Sequence, residues 1–321
     1  MVVEPRKGAR FVRRNYHYIF GFQQLNADIL LKENHFKHIL DLNLAMLLMS
    51  TSGALGRFID MAPPVTIWWR CILAAIFLWV FCRWRKVDLS VNLSIDGKAF
   101  IVASILLGGH WITYFYALHL SNVAIGMLSL FTYPVFTALL EPMLLKTKFH
   151  PTHLWLGILA LIGIYLLAPD LDLSNSHTRG IAFGLLSSLL YALRNLLLKK
   201  KVSRYNGSVL MFYQLAIVTL LLWPVLFIFD SLDITRQWPA VVTLALITTA
   251  IGHTLFVVGL KHFSVTTASI ISSSQPIYGI IIGFIFLNEI PQWRTVLGGA
   301  LILATVIIES TRSYKSTAKN P

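Results

Sequence analysis

Two stretches of an otherwise apolar sequence carry polar and aromatic side chains at helical spacing. His110 and Tyr114 stand four residues apart with Trp111 beside them, so one helix face presents an imidazole, an indole and a phenol. Ser129, Tyr133, Thr137 and Glu141 recur at the same interval, drifting about 40° around a helix per step. The second half of the chain offers His253, the run Ser272, Ser273 and Ser274, and Gln275. Such groups recognise a solute by hydrogen bonds and stacking. They do not assemble a catalytic centre: His110, His253 and Glu141 lie in separate apolar segments with no nucleophile in a recognisable motif. There is no HExxH, no CxxC and no phosphate-binding glycine loop with its lysine. Cys71 and Cys82 share one apolar segment and fit neither a disulfide framework nor a metal site.

Charged residues inside the apolar segments divide by depth. Arg57 is two residues from the end of its segment and can snorkel to water. Arg70 lies about 9 Å inside its segment. It is a candidate for an anchoring ion pair or for the solute pathway. Arg194, with Asn195 beside it, poses the same choice. Glu141 either pairs near the segment end with Lys146 or faces a cavity and couples protons.

The elements that must hold these residues are membrane spans. The chain is 56% hydrophobic and 13% charged, with a mean hydropathy of +0.69, 20 Phe and 9 Trp. Ten apolar segments of roughly 18–23 residues, each long enough to cross a bilayer core, fall near 39–59, 64–83, 99–118, 124–145, 153–169, 180–199, 208–229, 239–260, 265–288 and 293–309. The fold class expected is an all-α polytopic membrane protein. The net charge of +13 does not point to nucleic acid, because the basic residues lie in short runs between the segments. With the N-terminus inside, 21 of the 27 Lys and Arg fall on the cytoplasmic side, and only Arg179, Arg236 and Arg294 fall outside. That asymmetry predicts two cytoplasmic termini.

The chain also repeats itself. Shifted by 142 residues, HLSNVAIGMLSLFTYP faces KHFSVTTASIISSSQP without a gap, Pro134 falling on Pro276, Tyr133 on Gln275 and Trp111 on His253. Each copy reads as an apolar helix with a proline near its middle, which a bilayer protein tolerates when hydroxyls or neighbouring helices satisfy the freed carbonyl. Five spans per half is an odd number, so the halves enter the membrane from opposite sides as two inverted five-helix repeats, an arrangement of secondary transporters. A site between the third, fourth, eighth and ninth spans would suit a small, partly apolar solute with a polar head. A sugar phosphate would want several buried Arg or Lys.

The end of each half carries a further pattern: a proline-bearing span, an acid near its end, a proline in the loop and a glycine-rich last span. The second half has it as Gln275-Pro276, Glu289, Pro291 and Gly298-Gly299; the first has Tyr133-Pro134, Pro151 and Gly157 to Gly163, with Thr147 where Glu289 stands and Glu141 earlier. With the repeat and the span pattern, the chain resembles the drug/metabolite transporter superfamily and its ten-span EamA-type members, over about 39–309. Arg70 matches an arginine often found in that family's second span.

The resemblance implies transport of a small organic solute, an amino acid or metabolite, by export, without nucleotide hydrolysis or cofactor. The substrate-binding residues expected are His110, Trp111, Tyr114, Tyr133, Thr137, His253, Ser274 and Gln275. Glu141, Arg70 and Arg194 are candidates for coupling or ion pairing. The parts expected are a basic cytoplasmic segment at 1–38, five-helix repeats at 39–169 and 180–309, and a cytoplasmic tail at 310–321. The location expected is the inner or plasma membrane, the partners being the bilayer and a small-molecule substrate, with a homodimer left open. A non-transport membrane protein, either an intramembrane enzyme or a sensory or scaffold protein, is the alternative.

Overall fold

The computed structural model describes residues 37–146, 151–167, 172–229, 234–263, 265, 268, 271–272 and 274–319. The basic segment expected at 1–38 lies almost wholly outside them, as does Ser273. Among the described residues the fold is all-helical, without strands. The helices are α1 (Lys37–Phe58), α2 (Pro63–Trp84), α3 (Leu93–Leu120), α4 (Val123–Leu145), α5 (Thr152–Leu167), α6 (Ser176–Lys199), α7 (Gly207–Ile228), α8 (Ile234–His262), α9 (Ser274–Leu287) and α10 (Trp293–Lys319). Seven of these, α1 to α4 and α6 to α8, are long and apolar enough to cross a membrane. The apolar parts of the other three are shorter, at Trp155–Leu167, Ser274–Leu287 and Trp293–Thr305. The protein is thus a multi-pass helical membrane protein.

The starts and stops of the helices are written in the sequence. Asn92, Asn122, Asn175 and Asn206 each accept a hydrogen bond from a backbone N–H in the first turn of α3, α4, α6 and α7. That removes one of the unpaired donors left at a helix start. The pair Pro63-Pro64 opens α2, where a missing N–H costs nothing. Lys86, Lys146 and Asn288, with φ of 52°, 57° and 54°, turn the chain left-handed just beyond α2, α4 and α9.

Packing brings the two halves together rather than setting them side by side. α2 lies against α7 and α8, α3 against α6 and α7, α4 against α6 and α9, and α5 against α10. Small residues permit the closest approaches: a Cβ on Gly298 would meet the Gly163 carbonyl oxygen at 2.6 Å, and one on Gly184 would meet Ser129 Cβ at 2.4 Å.

Three irregularities interrupt this regularity: a break in α7 at Trp223 and Pro224, and two others beside the expected site. α4 is not one helix with a proline at its centre. It stops at Leu130, turns at Phe131 and Thr132, and restarts at Tyr133, which puts Pro134 in the first turn of the second segment. There the ring displaces no established intrahelical bond, so the penalty expected for a mid-helix proline is avoided. The Thr132 hydroxyl donates to the Ser129 carbonyl at 2.8 Å and lies 2.9 Å from the Ser188 hydroxyl on α6, tying down the break. Pro276 holds the matching place near the start of α9. The third irregularity is a π-helical stretch inside α8, Leu244–His253, in which the Thr249 hydroxyl donates to the Leu244 carbonyl at 2.9 Å.

Candidate functional site

α3 supplies the first wall. His110 is held by α6 through a reciprocal pair: the Ser187 hydroxyl donates to the His110 carbonyl at 2.8 Å and stands 2.7 Å from His110 Nδ1. A hydroxyl has one proton, already given to the carbonyl, so Nδ1 carries the hydrogen and a neutral ring keeps its Nε2 lone pair. The ring stacks on Tyr191 at 4.4 Å, and Tyr191 meets Tyr133 edge-on at 4.9 Å. One residue along, Trp111 meets His253 of the π-helical stretch edge-on at 5.1 Å.

These rings surround a central cavity of about 20 Å³, lined by Met49, Ser52, His110, Trp111, Tyr114, Leu130, Phe131, Tyr133, Tyr191, His253 and Gln275. Six of the eight substrate-binding residues expected from the sequence therefore meet in one place. The other two lie outside the lining: the Thr137 hydroxyl is spent on the Tyr133 carbonyl at 2.9 Å, and Ser274 on Ile271 at 2.8 Å. Tyr191 and Ser52 complete the wall. The enclosed space holds about one water molecule, so a solute enters only when the walls part.

Two fully buried arginines sit behind these walls. The Arg70 guanidinium lies 4.0 Å above the Trp111 ring, a cation–π distance, and its Nε donates to the Thr249 hydroxyl at 2.6 Å. Its two Nη nitrogens have no hydrogen-bond partner. Arg194 is more fully engaged: Nε donates to Gln214 at 3.0 Å, Nη1 to Asn195 at 3.1 Å, and Nη2 faces Met211 Sδ at 3.1 Å. All of these contacts are neutral. Glu141 pairs with neither arginine; it lies within electrostatic reach of Lys199.

The bundle is fastened beyond both ends of the cavity. At one end Arg57 donates to the His119 carbonyl at 3.1 Å and to Glu289 at 3.2 Å, while the other Glu289 oxygen accepts from the Val123 N–H at 2.8 Å, the first residue of α4. Arg57 therefore does more than snorkel, and Glu289 has a bonding role that its place in a sequence motif did not reveal. A cleft of about 260 Å³ opens beside this pair. At the other end Lys199 donates to the Leu260 and Phe263 carbonyls at 2.8 and 2.7 Å. Nearby, Asp96 at the start of α3 receives Lys201 and the Tyr205 hydroxyl. The two fastenings thus lie at opposite ends of α3, about 35 Å apart along its axis.

A multi-pass helical protein with a buried, aromatic-walled cavity between its two halves is the class that fold and site define. The chain belongs to the EamA-like transporter family, whose profile matches residues 38–168 and again 178–311. An uncharacterized transporter of Archaeoglobus fulgidus is 30% identical over 61% of this chain and 70% of its own. The pseudopaline exporter of Pseudomonas aeruginosa is 21% identical over 82% of this chain and 92% of its own. The biotin transporter of Escherichia coli is 21% identical over 72% and 78%. A protein solved by crystallography superposes with a TM-score of 0.66 at 18% identity, over 87% of this chain and 98% of that one, which is a likeness of fold.

Proposed function

We propose that the protein is a secondary transporter, moving a small organic solute across the membrane by alternating access between two inverted five-helix repeats. The observation that carries this reading is the cavity: α1, α3 and α4 of the first half and α6, α8 and α9 of the second enclose it, and a fastening lies beyond each end. Opening one fastening at a time would expose the same residues to one side and then the other.

The inversion is supported by direction. The C-terminal end of α1, with Arg57, meets the C-terminal end of α3, whereas the C-terminal end of α6, with Lys199, lies where α3 begins, beside the Asp96–Lys201 pair. Opposite courses of α1 and α6 along α3 are what an inverted repeat would give. The packing has the same symmetry: α2 with α7 and α5 with α10 pair each helix with its counterpart, and α3 with α7 mirrors α2 with α8. Ten spans with both termini cytoplasmic are part of this proposal, and the Lys and Arg distribution supports them. Export of an amino acid or metabolite is the direction and class suggested by the family; the named relatives include an exporter and a vitamin transporter.

The experiment is solute counterflow in proteoliposomes without nucleotide. Saturable, solute-specific uptake that falls at least tenfold in Tyr133→Ala and Gln275→Ala is the result expected. Uptake no different from protein-free vesicles for every solute tested would abandon transport for an enzymatic, sensory or scaffold role.

A further inference from the structure

From the charge and donor balance of the central site, we infer that the solute is an organic anion, a carboxylate on an apolar or aromatic body, with Arg70 as its counter-charge. This rests on the transport reading above and names the substrate class of the same site.

The first ground is charge. Arg70 and Arg194 are buried, a guanidinium keeps its proton at any ordinary pH, and every contact of either side chain among the described residues is neutral. None of the residues lining the cavity is acidic. The ion pairs of Arg57 with Glu289 and of Lys201 and Arg204 with Asp96 belong to the ends of the bundle. A cation buried without a counter-ion is costly, and a bound anion removes that cost. A cationic amine would increase it.

The second ground is hydrogen bonding. The buried polar atoms left without partners around Trp111 are the two Nη nitrogens of Arg70, Trp111 Nε1, the Tyr114 hydroxyl and His253 Nδ1. All but the last are donors in any neutral or cationic form, and what they lack is an acceptor. A carboxylate supplies acceptors only and matches a guanidinium fork. An amide could give its donors to the His110 Nε2 lone pair or to Gln275, but it brings no charge to answer the guanidinium.

The backbone points the same way. Two helical segments begin at the cavity, one at Tyr133 and one at Ser274, and both Tyr133 and Gln275 line it. The positive ends of two helix dipoles therefore reach the site, against the single negative end of the α4 segment that stops at Leu130. Arg194 is the less suitable counter-charge, because Gln214, Asn195 and Met211 occupy all three of its nitrogens. The Tyr133, Tyr191 and Phe131 rings provide the apolar surface for the solute body.

The test compares matched solutes on the purified full-length protein: phenylacetate, indole-3-acetate, hexanoate and succinate, each against its primary amide, and phenethylamine, tryptamine and hexylamine. Thermal stabilisation reports binding, and counterflow in proteoliposomes reports passage. We expect at least one carboxylate to bind about tenfold or more tightly than its amide, the scale of a charge-assisted pair. The preference should vanish in Arg70→Gln and persist, weakened, in Arg70→Lys. Should the glutamine variant fail to fold, the comparison of acid with amide in the unaltered protein decides the matter alone. Amides or amines that bind and move as well as the acids overturn the anion inference and leave transport standing. Equal stabilisation by sodium chloride at the same molarity overturns it too, assigning the charge to a bound halide. If no solute of any charge binds or moves, both readings fall.

Discussion

Arg57 and Lys199 stand 142 residues apart, the interval of the sequence repeat, and each donates from the end of the first helix of its half to carbonyls at the end of the third. Arg57 reaches His119, and Lys199 reaches Leu260 and Phe263. The acids do not follow the repeat: Glu289 binds Arg57 directly, whereas Thr147 stands at its equivalent and Glu141, six residues earlier, lies within electrostatic reach of Lys199. Both fastenings are made at once, and the cavity between them is only about 20 Å³. On the transport reading proposed above, this corresponds to a closed form of a two-ended device.

If the Arg57 end is one gate, loosening it should bias the protein towards that opening. Glu289→Ala removes a half-exposed ion pair, worth about 0–1 kcal/mol, and the acceptor at the α4 N-terminus, worth about 1 kcal/mol. A cysteine placed at Ala124, which lines the cleft beside Glu289, should then react several-fold faster with a membrane-impermeant maleimide, and Lys199→Ala should not speed it. Equal acceleration by both substitutions would show that they loosen the whole bundle rather than one end.

The crossing of α5 and α10 depends on two glycines. Each would direct a Cβ at the backbone carbonyl of the other, at 2.9 Å from Gly163 and 2.6 Å from Gly298. Backbone cannot rotate aside, so Gly298→Ala must push the helices apart. A loss of about 1–3 kcal/mol is expected, as for other overpacked contacts, and more for valine. Gly157→Ala, on the partner helix α5, is the control, since its Cβ would find nothing closer than Val135 at 3.9 Å. Thermal unfolding in detergent should place Gly298→Val lowest, Gly298→Ala next and Gly157→Ala highest.

The break in α4 should be measurable as a coupling. The Thr132 hydroxyl touches both the Ser129 carbonyl and the Ser188 hydroxyl. Thr132→Val and Ser188→Ala should each destabilise the protein by about 1 kcal/mol, and the double variant by less than their sum. Strict additivity in a double-mutant cycle would mean that the hydroxyl contact carries no energy.

These elements differ in how far the sequence announced them. An asparagine cap acts within three residues and is a local signal, yet the spans expected near 99 and 180 begin earlier, just behind Asn92 and Asn175. His110, Trp111, Tyr133, His253 and Gln275 could be placed near one another because polar groups deep in apolar segments have few places to go, and the repeat aligned them. Thr137 and Ser274 looked alike in sequence, but a hydroxyl in an apolar helix can satisfy itself on its own backbone, as both do. Pro134 was expected mid-helix because composition around it is unbroken; whether the chain bends or restarts there depends on Thr132 finding Ser188 on a distant helix. The bond between Arg57 and Glu289 spans 232 residues, and no local signal encodes it. The π-helical stretch Leu244–His253 was equally silent, because widening a turn by one residue leaves no mark on composition.

That stretch yields the sharpest test, because it holds Arg70. The widened turn lets the Thr249 hydroxyl donate to Leu244, five residues back, and leaves its oxygen to accept the Arg70 Nε at 2.6 Å, the side chain's one hydrogen bond among the described residues. Thr249→Val keeps the shape and removes that acceptor, leaving a buried guanidinium with only the Trp111 ring. Hydrogen bonds to charged groups contribute about 1.5–3 kcal/mol, and an orphaned buried charge lies at the upper end of that range. Thr249→Val should therefore cost more than about 2 kcal/mol, and Thr249→Ser, which restores the oxygen, should recover most of it. The loss should also depend on the charge it orphans: in an Arg70→Met background, where no cation remains, the same valine should be close to neutral. If valine cost as much there as in the unaltered protein, the hydroxyl would be serving the α8 backbone alone, and the positioning of Arg70 would have to come from its stacking on Trp111.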